Sequence, residues 1–262
     1  MQGVRAICGG LLAAFVAANP ALAGRFTPPE TCTGYVTVQM KGCMLSNHYR
    51  CSGDAPGDQW RVEFGQTEDG EDAAMFQARI DADAQWVESQ NLRRGTVEYL
   101  LPDAADPASL SRLLSEGYDS FDFQVQAADG LRETIRGFDR LTGERVRIDG
   151  VALLGTQFEA RATDESGATL WHTRGAEFLH PDWRIFLSGR GEWLDVETGE
   201  FLPFDATPLS FSFPGEVGFF STTPLFECDT VMSQAPATAP FVLPVSASQG
   251  SDLPVQEMQD DL

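Results

Sequence analysis

Between Asp119 and Ala128 every second residue is apolar: Phe121, Phe123, Val125 and Ala127 alternate with Asp122, Gln124 and Gln126. A two-residue period belongs to a strand with one buried face. Turn dipeptides then recur at Asp129-Gly130, Thr142-Gly143, Asp149-Gly150, Ser166-Gly167 and Thr198-Gly199. In each, the glycine accepts the positive φ that a tight hairpin turn needs. Strand-like runs lie between them: ERVRID, VALLGTQFEARAT, ATLWHTRGAEFL and RIFLSGRGEWL. Successive hairpins make an antiparallel meander, and a meander that curls makes a half-barrel or barrel. Gly155, Gly175, Gly189 and Gly191 fall inside these runs, where glycine suits a bent or bulged strand better than a flat one. The expected fold is therefore mainly β: an antiparallel meander forming a curved half-barrel or barrel, with one short helix.

The helix is expected after Asp106. Asp106 offers an N-cap, Pro107 fits the first helical position and Gly117 suits the residue past the end. Leu110, Leu113 and Leu114 make an apolar stripe at i, i+3 and i+4. Such a helix would plug one end of a barrel or cover the concave face of a half-barrel. No repeat of fixed period appears, which argues against propellers and solenoids.

The two ends read differently from the middle. Arg5, the apolar stretch from Ile7 to Ala18 and the small residues of Ala21-Leu22-Ala23 form a secretory signal, cut after Ala23 and taking Cys8 with it. After Cys228 the chain is rich in Pro, Ala, Ser and Gln without period, the composition of a disordered tail. The expected organisation is a signal peptide at 1–23, a single antiparallel β domain at 24–228 and a disordered tail at 229–262. An apolar island in the tail, APFVLPV, reads either as mere composition or as a docking peptide for another envelope protein. No later segment is apolar for long enough to span a bilayer, so no transmembrane segment is expected. The expected location is the periplasm or the medium.

The chain carries 18 Lys+Arg against 39 Asp+Glu, a net charge of -21. Such a surface repels phosphate backbones and anionic membranes, so no nucleic acid partner is expected.

Export leaves Cys32, Cys43, Cys51 and Cys228. An even number in an oxidising compartment favours two disulfides, with three possible connectivities. A two-residue turn at Lys41-Gly42 would set Met40 opposite Cys43, Val38 opposite Leu45, Val36 opposite Asn47 and Cys32 opposite Cys51. One face would then hold Val36, Val38, Met40, Cys43, Leu45 and Tyr49, and the other Thr37, Gln39, Ser46, His48 and Arg50. This register predicts a Cys32–Cys51 staple at 32–51 and leaves Cys43 for Cys228. The alternative is Cys43–Cys51 with Cys32–Cys228. Zinc at Cys32, Cys43, His48 and Cys51 has suitable ligand types, but the spacing matches no paired-knuckle pattern. A redox C-x-x-C pair is absent from the sequence.

Signatures of catalysis are sparse. The sequence contains no G-x-S-x-G elbow, no H-E-x-x-H, no phosphate-binding glycine loop and no complete EF-hand loop. HPDWR sets His180 near Asp182 and Arg184, which reads either as an acid–base pair of a hydrolase or as a turn between strands. TEDGED (67–72) and DAD (81–83) offer carboxylates to calcium without a rigid ligand spacing, so solvated loops are expected there. No catalytic residue, metal or cofactor is assigned.

The aromatic residues carry more. The chain has 18 Phe, 5 Trp and 4 Tyr, and FSFPGEVGFFSTTPLF gathers several Phe around Pro214-Gly215, a turn that would present Phe219 and Phe220 near an edge. Phe211, Phe213, Phe219, Phe220, Trp171 and Trp193 are either barrel core or the lining of an apolar pocket. They are the expected ligand-binding residues.

CTGYVTVQMKGC, followed by NHYRC and DAPGDQW, resembles exported bacterial proteins of a family without assigned function. From about Trp60 to Phe226 the meander is loosely similar to lipid-carrying half-barrels and lipocalin-like envelope proteins. That likeness, of fold alone, implies a non-enzymatic protein holding an apolar small molecule or lipid in its concave face. The alternatives are an envelope structural or assembly factor acting through protein contacts, and a hydrolase using His180 and Asp182.

Overall fold

The computed structural model describes residues 24–228; the expected signal peptide and the tail with its docking peptide lie outside the described residues. The elements in chain order are β1 (Cys32–Met40), β2 (Met44–Cys51), β3 (Gln59–Gln66), β4 (Asp72–Ile80), β5 (Trp86–Asn91), β6 (Thr96–Leu100), α1 (Leu110–Glu116), β7 (Tyr118–Ala127), β8 (Arg132–Ile148), β9 (Val151–Thr163), β10 (Thr169–His180), β11 (Ile185–Leu194), β12 (Phe201–Asp205) and β13 (Pro208–Ser212). The strands form one antiparallel meander from β1 to β12, and β13 returns to pair with β1. The mainly β fold with one short helix is thus as expected.

The edges of the ladder, β12 and β13, do not pair with each other. They are consecutive in the chain, separated by Ala206 and Thr207. Ala206 N donates to Gly189 O at 2.9 Å, and Lys41 N donates to Thr207 O at 3.1 Å. One kinked run of chain therefore leaves β11 and arrives at β1. Asp205 marks the kink and ion-pairs with Lys41 at 3.1 Å and Arg190 at 2.9 Å.

The glycine dipeptides behave as expected except one. Asp129-Gly130, Asp149-Gly150, Ser166-Gly167 and Thr198-Gly199 lie between strands, but Thr142-Gly143 lies inside β8. There the pairing with β9 slips between Leu141 and Arg145. Thr142 Oγ1 donates to Gly155 O at 3.1 Å, so β9 runs past without turning. The surplus residues of β8 form a bulge, which bends the hairpin.

The first hairpin also departs from the expected register. Its turn contains Lys41, Gly42 and Cys43, with Gly42 at φ 72° and Cys43 at φ 56°. Met40 consequently pairs with Met44, Val38 with Ser46 and Val36 with His48. One extra turn residue moves all of β2 to the opposite face. Leu45 and Tyr49 lie with Val62 and Phe64, away from Val36, Val38 and Met40, which pack with Met44. A second slip between Gly34 and Val36 restores Cys32 opposite Cys51. Both expected disulfides are formed, Cys32–Cys51 and Cys43–Cys228, with Cα separations of 3.9 and 4.6 Å. All four cysteine sulfurs are thereby engaged with one another.

Cys43–Cys228 pins the C-terminal segment, residues 219–228, across the outer face of β1 and β2. Polar side chains on that face seat it. Thr37 Oγ1 accepts from Phe220 N at 2.7 Å, Asn47 Nδ2 donates to Ser221 O at 2.8 Å, and Gln39 both donates to Thr223 O and accepts from Leu225 N. Thr37, Gln39 and Asn47 are buried, so these bonds meet the requirement that buried polar groups find partners. Phe26 stacks on Phe220 at 5.7 Å and closes the apolar part of the seam.

Helix α1 starts later than expected. Its N-cap is Ser109, whose Oγ accepts from Arg112 N, and its C-cap is Gly117 at φ 80°. Asp106 does not cap it, because its backbone is held extended in a bridge to Asp122. The Asp106 carboxylate instead takes Ser120 Oγ at 2.6 Å and an Arg112 nitrogen at 3.0 Å. Leu110 and Leu113 are buried with Ala84 and Leu179. Leu113→Ala should therefore lower stability by about 2–5 kcal/mol, read from denaturant unfolding, and a loss below about 1 kcal/mol would mean that α1 is not seated on the sheet.

Candidate functional site

The curl of the sheet leaves a cavity of about 130 Å³. Residues of β3, β5, β7–β12 and α1 line it, so strands as distant in the ladder as β3 and β10 meet across it. Trp86, Phe121, Phe123, Phe158, Phe186 and Phe204 form aromatic walls, while Ser109, Leu110 and Leu113 bring α1 against one side. The helix thus borders the cavity. A smaller space of about 60 Å³ adjoins it and shares Arg61, Ala84, Trp86 and Phe186.

Strand phase explains which side chains face inward. On β10, Trp171, Thr173, Gly175, Glu177 and Leu179 follow one another at every second position. Gly175 admits close backbone contact, since a Cβ there would lie 2.4 Å from Arg190 O. The pairing with β11 then slips between Gly175 and Glu177, a bulge of the kind that re-aims a side chain. Glu177 and Thr173 line the cavity together with Ser188. On β8, Asp139 stands opposite Asp119 of β7 and opposite Phe158 of β9.

Five ionisable groups face this space: Arg61, Asp83, Asp119, Asp139 and Glu177. Three have partners of opposite charge. Arg61 ion-pairs with Glu63 at 3.2 Å, Asp83 with Arg184 at 2.5 Å and Asp119 with Arg112 at 2.5 Å. Among the described residues, Asp139 and Glu177 make neither an ion pair nor a hydrogen bond. They are enclosed by the sheet and only half-buried by area, because their remaining surface is turned to the cavity. Burial pushes the Glu177 carboxyl up to about 8, with the Asp139 charge adding and Arg61 opposing. Burial likewise pushes Asp139 up to about 7, and the charge of Asp119 adds to it. His48, beside the smaller space, is held neutral: burial and then the charges of Arg61 and Arg50 push it down to about 3.

The six expected ligand-binding residues lie elsewhere. Phe211 is buried among Val36, Val38 and Leu187, and Phe213 packs beside it near Trp183. Phe219 and Phe220 fold against β2 and β3 with Phe26, and the large apolar side chain left exposed at their turn is Val217. Trp171 is buried, with its indole N–H donating to Glu133 at 3.3 Å and its ring 6.3 Å from Trp86. Trp193 is half-buried on β11 opposite Thr173 and Leu202. The walls come instead from Phe121 and Phe123, the clearest alternating pair in the sequence. Glu177 also carried a sequence signal, a charged residue in phase with Trp171 and Leu179.

The other sequence candidates have structural roles. His180 Nδ1 accepts from Trp183 N at 3.1 Å, and the two rings stack 3.7 Å apart, so HPDWR is a turn closed on itself. Asp81 accepts from Asp83 N and Gln85 N, shaping its own loop. Thr67 and Glu71 close the TEDGED turn. Among the described residues, no group of three or more His, Cys, Asp or Glu is arranged to hold a metal ion.

Set against known proteins, the chain matches no protein-family model, no curated protein and no solved structure.

Proposed function

We propose that this is a non-enzymatic β protein of the periplasm or extracellular space, whose cavity beside α1 holds a small, largely apolar molecule. The observation that carries this reading is a space of about 130 Å³ left open between six aromatic walls. Packed interiors leave few voids larger than a water molecule. A space of this size is close to that of an engineered cavity of about 150 Å³ that takes benzene. It falls below the roughly 300 Å³ at which sites for drug-sized ligands begin. The ligand is therefore of single-ring size, and a lipid would place at most one small group inside. The two disulfides, and the lack among the described residues of a helix long and apolar enough to cross a membrane, are compatible with a place outside the cytoplasm.

Native mass spectrometry of protein purified from its own periplasm tests the reading. A retained mass of small-molecule size, lost in a Phe158→Trp variant that fills the space, is the expected result. A clean apo mass, with no thermal shift from any single-ring compound, would overturn it.

A further inference from the structure

Resting on the ligand-binding reading, we propose that the cavity selects a small organic cation, a protonated amine carrying one ring, held between Asp139 and Glu177 against the face of Phe158. The charge balance of the lining leads there. Arg61, Asp83 and Asp119 each have a counter-ion at 2.5 to 3.2 Å, supplied by Glu63, Arg184 and Arg112. Once those pairs are set aside, the groups without a partner are both carboxyls.

Their placement suits one ligand. Asp139 on β8 stands opposite Phe158 of β9 and Glu177 on β10 opposite Thr156, two strand spacings across and two residues along, so their backbones stand roughly 12 Å apart. Phe158 of β9 lies opposite Asp139, with Gly175 opposite Phe158 on the far side. An aromatic ring fits against Phe158, Phe121 and Phe123, and an ammonium arm reaches a carboxylate. Aromatic faces carry negative potential and attract cations, so walls and carboxylates act with the same sign.

The two unpaired carboxyls also explain their own protonation. An unpaired buried carboxylate is costly, and such a group takes up a proton instead. Both carboxyls hold protons readily at neutral pH for this reason, with burial the first cause in each. A bound ammonium would supply the missing counter-ion and release a proton as it enters. An anionic ligand meets the opposite situation: among the described residues Arg61 is the one basic group of the lining, and it is already engaged by Glu63.

The test is calorimetric titration of the full mature chain with three probes of one shape: phenethylamine, 2-phenylethanol and phenylacetate. The expected order places phenethylamine at least about tenfold tighter than the alcohol, a difference of about 1.4 kcal/mol, with phenylacetate weakest. Repeating the titration at pH 6 in two buffers of unlike ionisation enthalpy should show release of about one proton per amine bound. Glu177→Gln, which keeps the shape, should remove both the preference for the amine over the alcohol and the proton release; Asp139→Asn supplies a second variant should the first fail to fold. Alcohol binding as tight as the amine, or proton uptake, would overturn the cation while leaving the ligand-binding reading intact. Failure of all three probes to bind would overturn both.

Discussion

Removing the Cys43–Cys228 bridge as Cys43→Ala/Cys228→Ala is expected to lower unfolding free energy by up to about 5 kcal/mol. The bond joins residues 185 apart, and the entropy released to the unfolded chain grows with the logarithm of that loop. The Cys32–Cys51 bond spans 19 residues, for which the same relation gives about 3 kcal/mol. The two double variants should therefore rank in that order in urea unfolding under non-reducing conditions. The first should also lose amide-exchange protection along 219–226, since Thr37, Gln39 and Asn47 would then hold that segment without a covalent anchor. Equal or greater loss in the Cys32–Cys51 variant would sink this account.

The second large effect concerns pH: thermal stability is expected to fall as pH rises from 5 to 8. Three enclosed carboxyls drive it. Burial, then the charge of Glu133 and that of Asp129, push Glu98 up to about 8, beside Glu177 at about 8 and Asp139 at about 7. Unfolded carboxyls titrate near 4, so between about 4 and 8 the native state binds protons that the unfolded state has released. Stability must then decline through that window and level off above it. His48 acts in the opposite sense: below about 6.5 the unfolded imidazole takes a proton that the native one, held at about 3, refuses. His180, also lowered by burial, adds to His48, but three carboxyls raised to about 7–8, with Glu63 and Asp58 raised by burial as well, leave the decline in place. Melting temperatures at pH 5, 6.5 and 8 check it, and Glu98→Gln/Asp139→Asn/Glu177→Gln should flatten the profile and melt higher than the parent at pH 8. A parent chain more stable at pH 8 than at pH 5 would refute the account.

Much of the site was legible in retrospect as misplaced charge. Asp119 precedes Phe121 and Phe123 in strand phase, and Glu177 stands in phase with Trp171 and Leu179. A carboxylate on an otherwise apolar face announces an interior polar group. What the phase could not tell was whether that carboxylate has a counter-ion. Arg112 answers Asp119 from α1, whereas among the described residues Glu177 makes no ion pair or hydrogen bond, and Arg61, engaged by Glu63, offsets only part of the effect of its burial. The segment at 211–226 is dense in Phe, yet density alone does not separate a wall from a core. Phe211 and Phe220 proved to be core because the β8–β9 hairpin and Phe26 pack against them.

The sequence by itself determined the local pieces: strands from two-residue alternation, four hairpin turns from glycine dipeptides and a short helix from its leucine stripe. Each depends on backbone preferences within a few residues. The tertiary structure decided the rest. It put Cys43 into the first turn and so exchanged the faces of β2, turned Thr142-Gly143 into a bulge, and brought β3 opposite β10 around an aromatic space. These outcomes depend on register and curl, where one residue in a turn inverts a whole strand, and no local pattern records them.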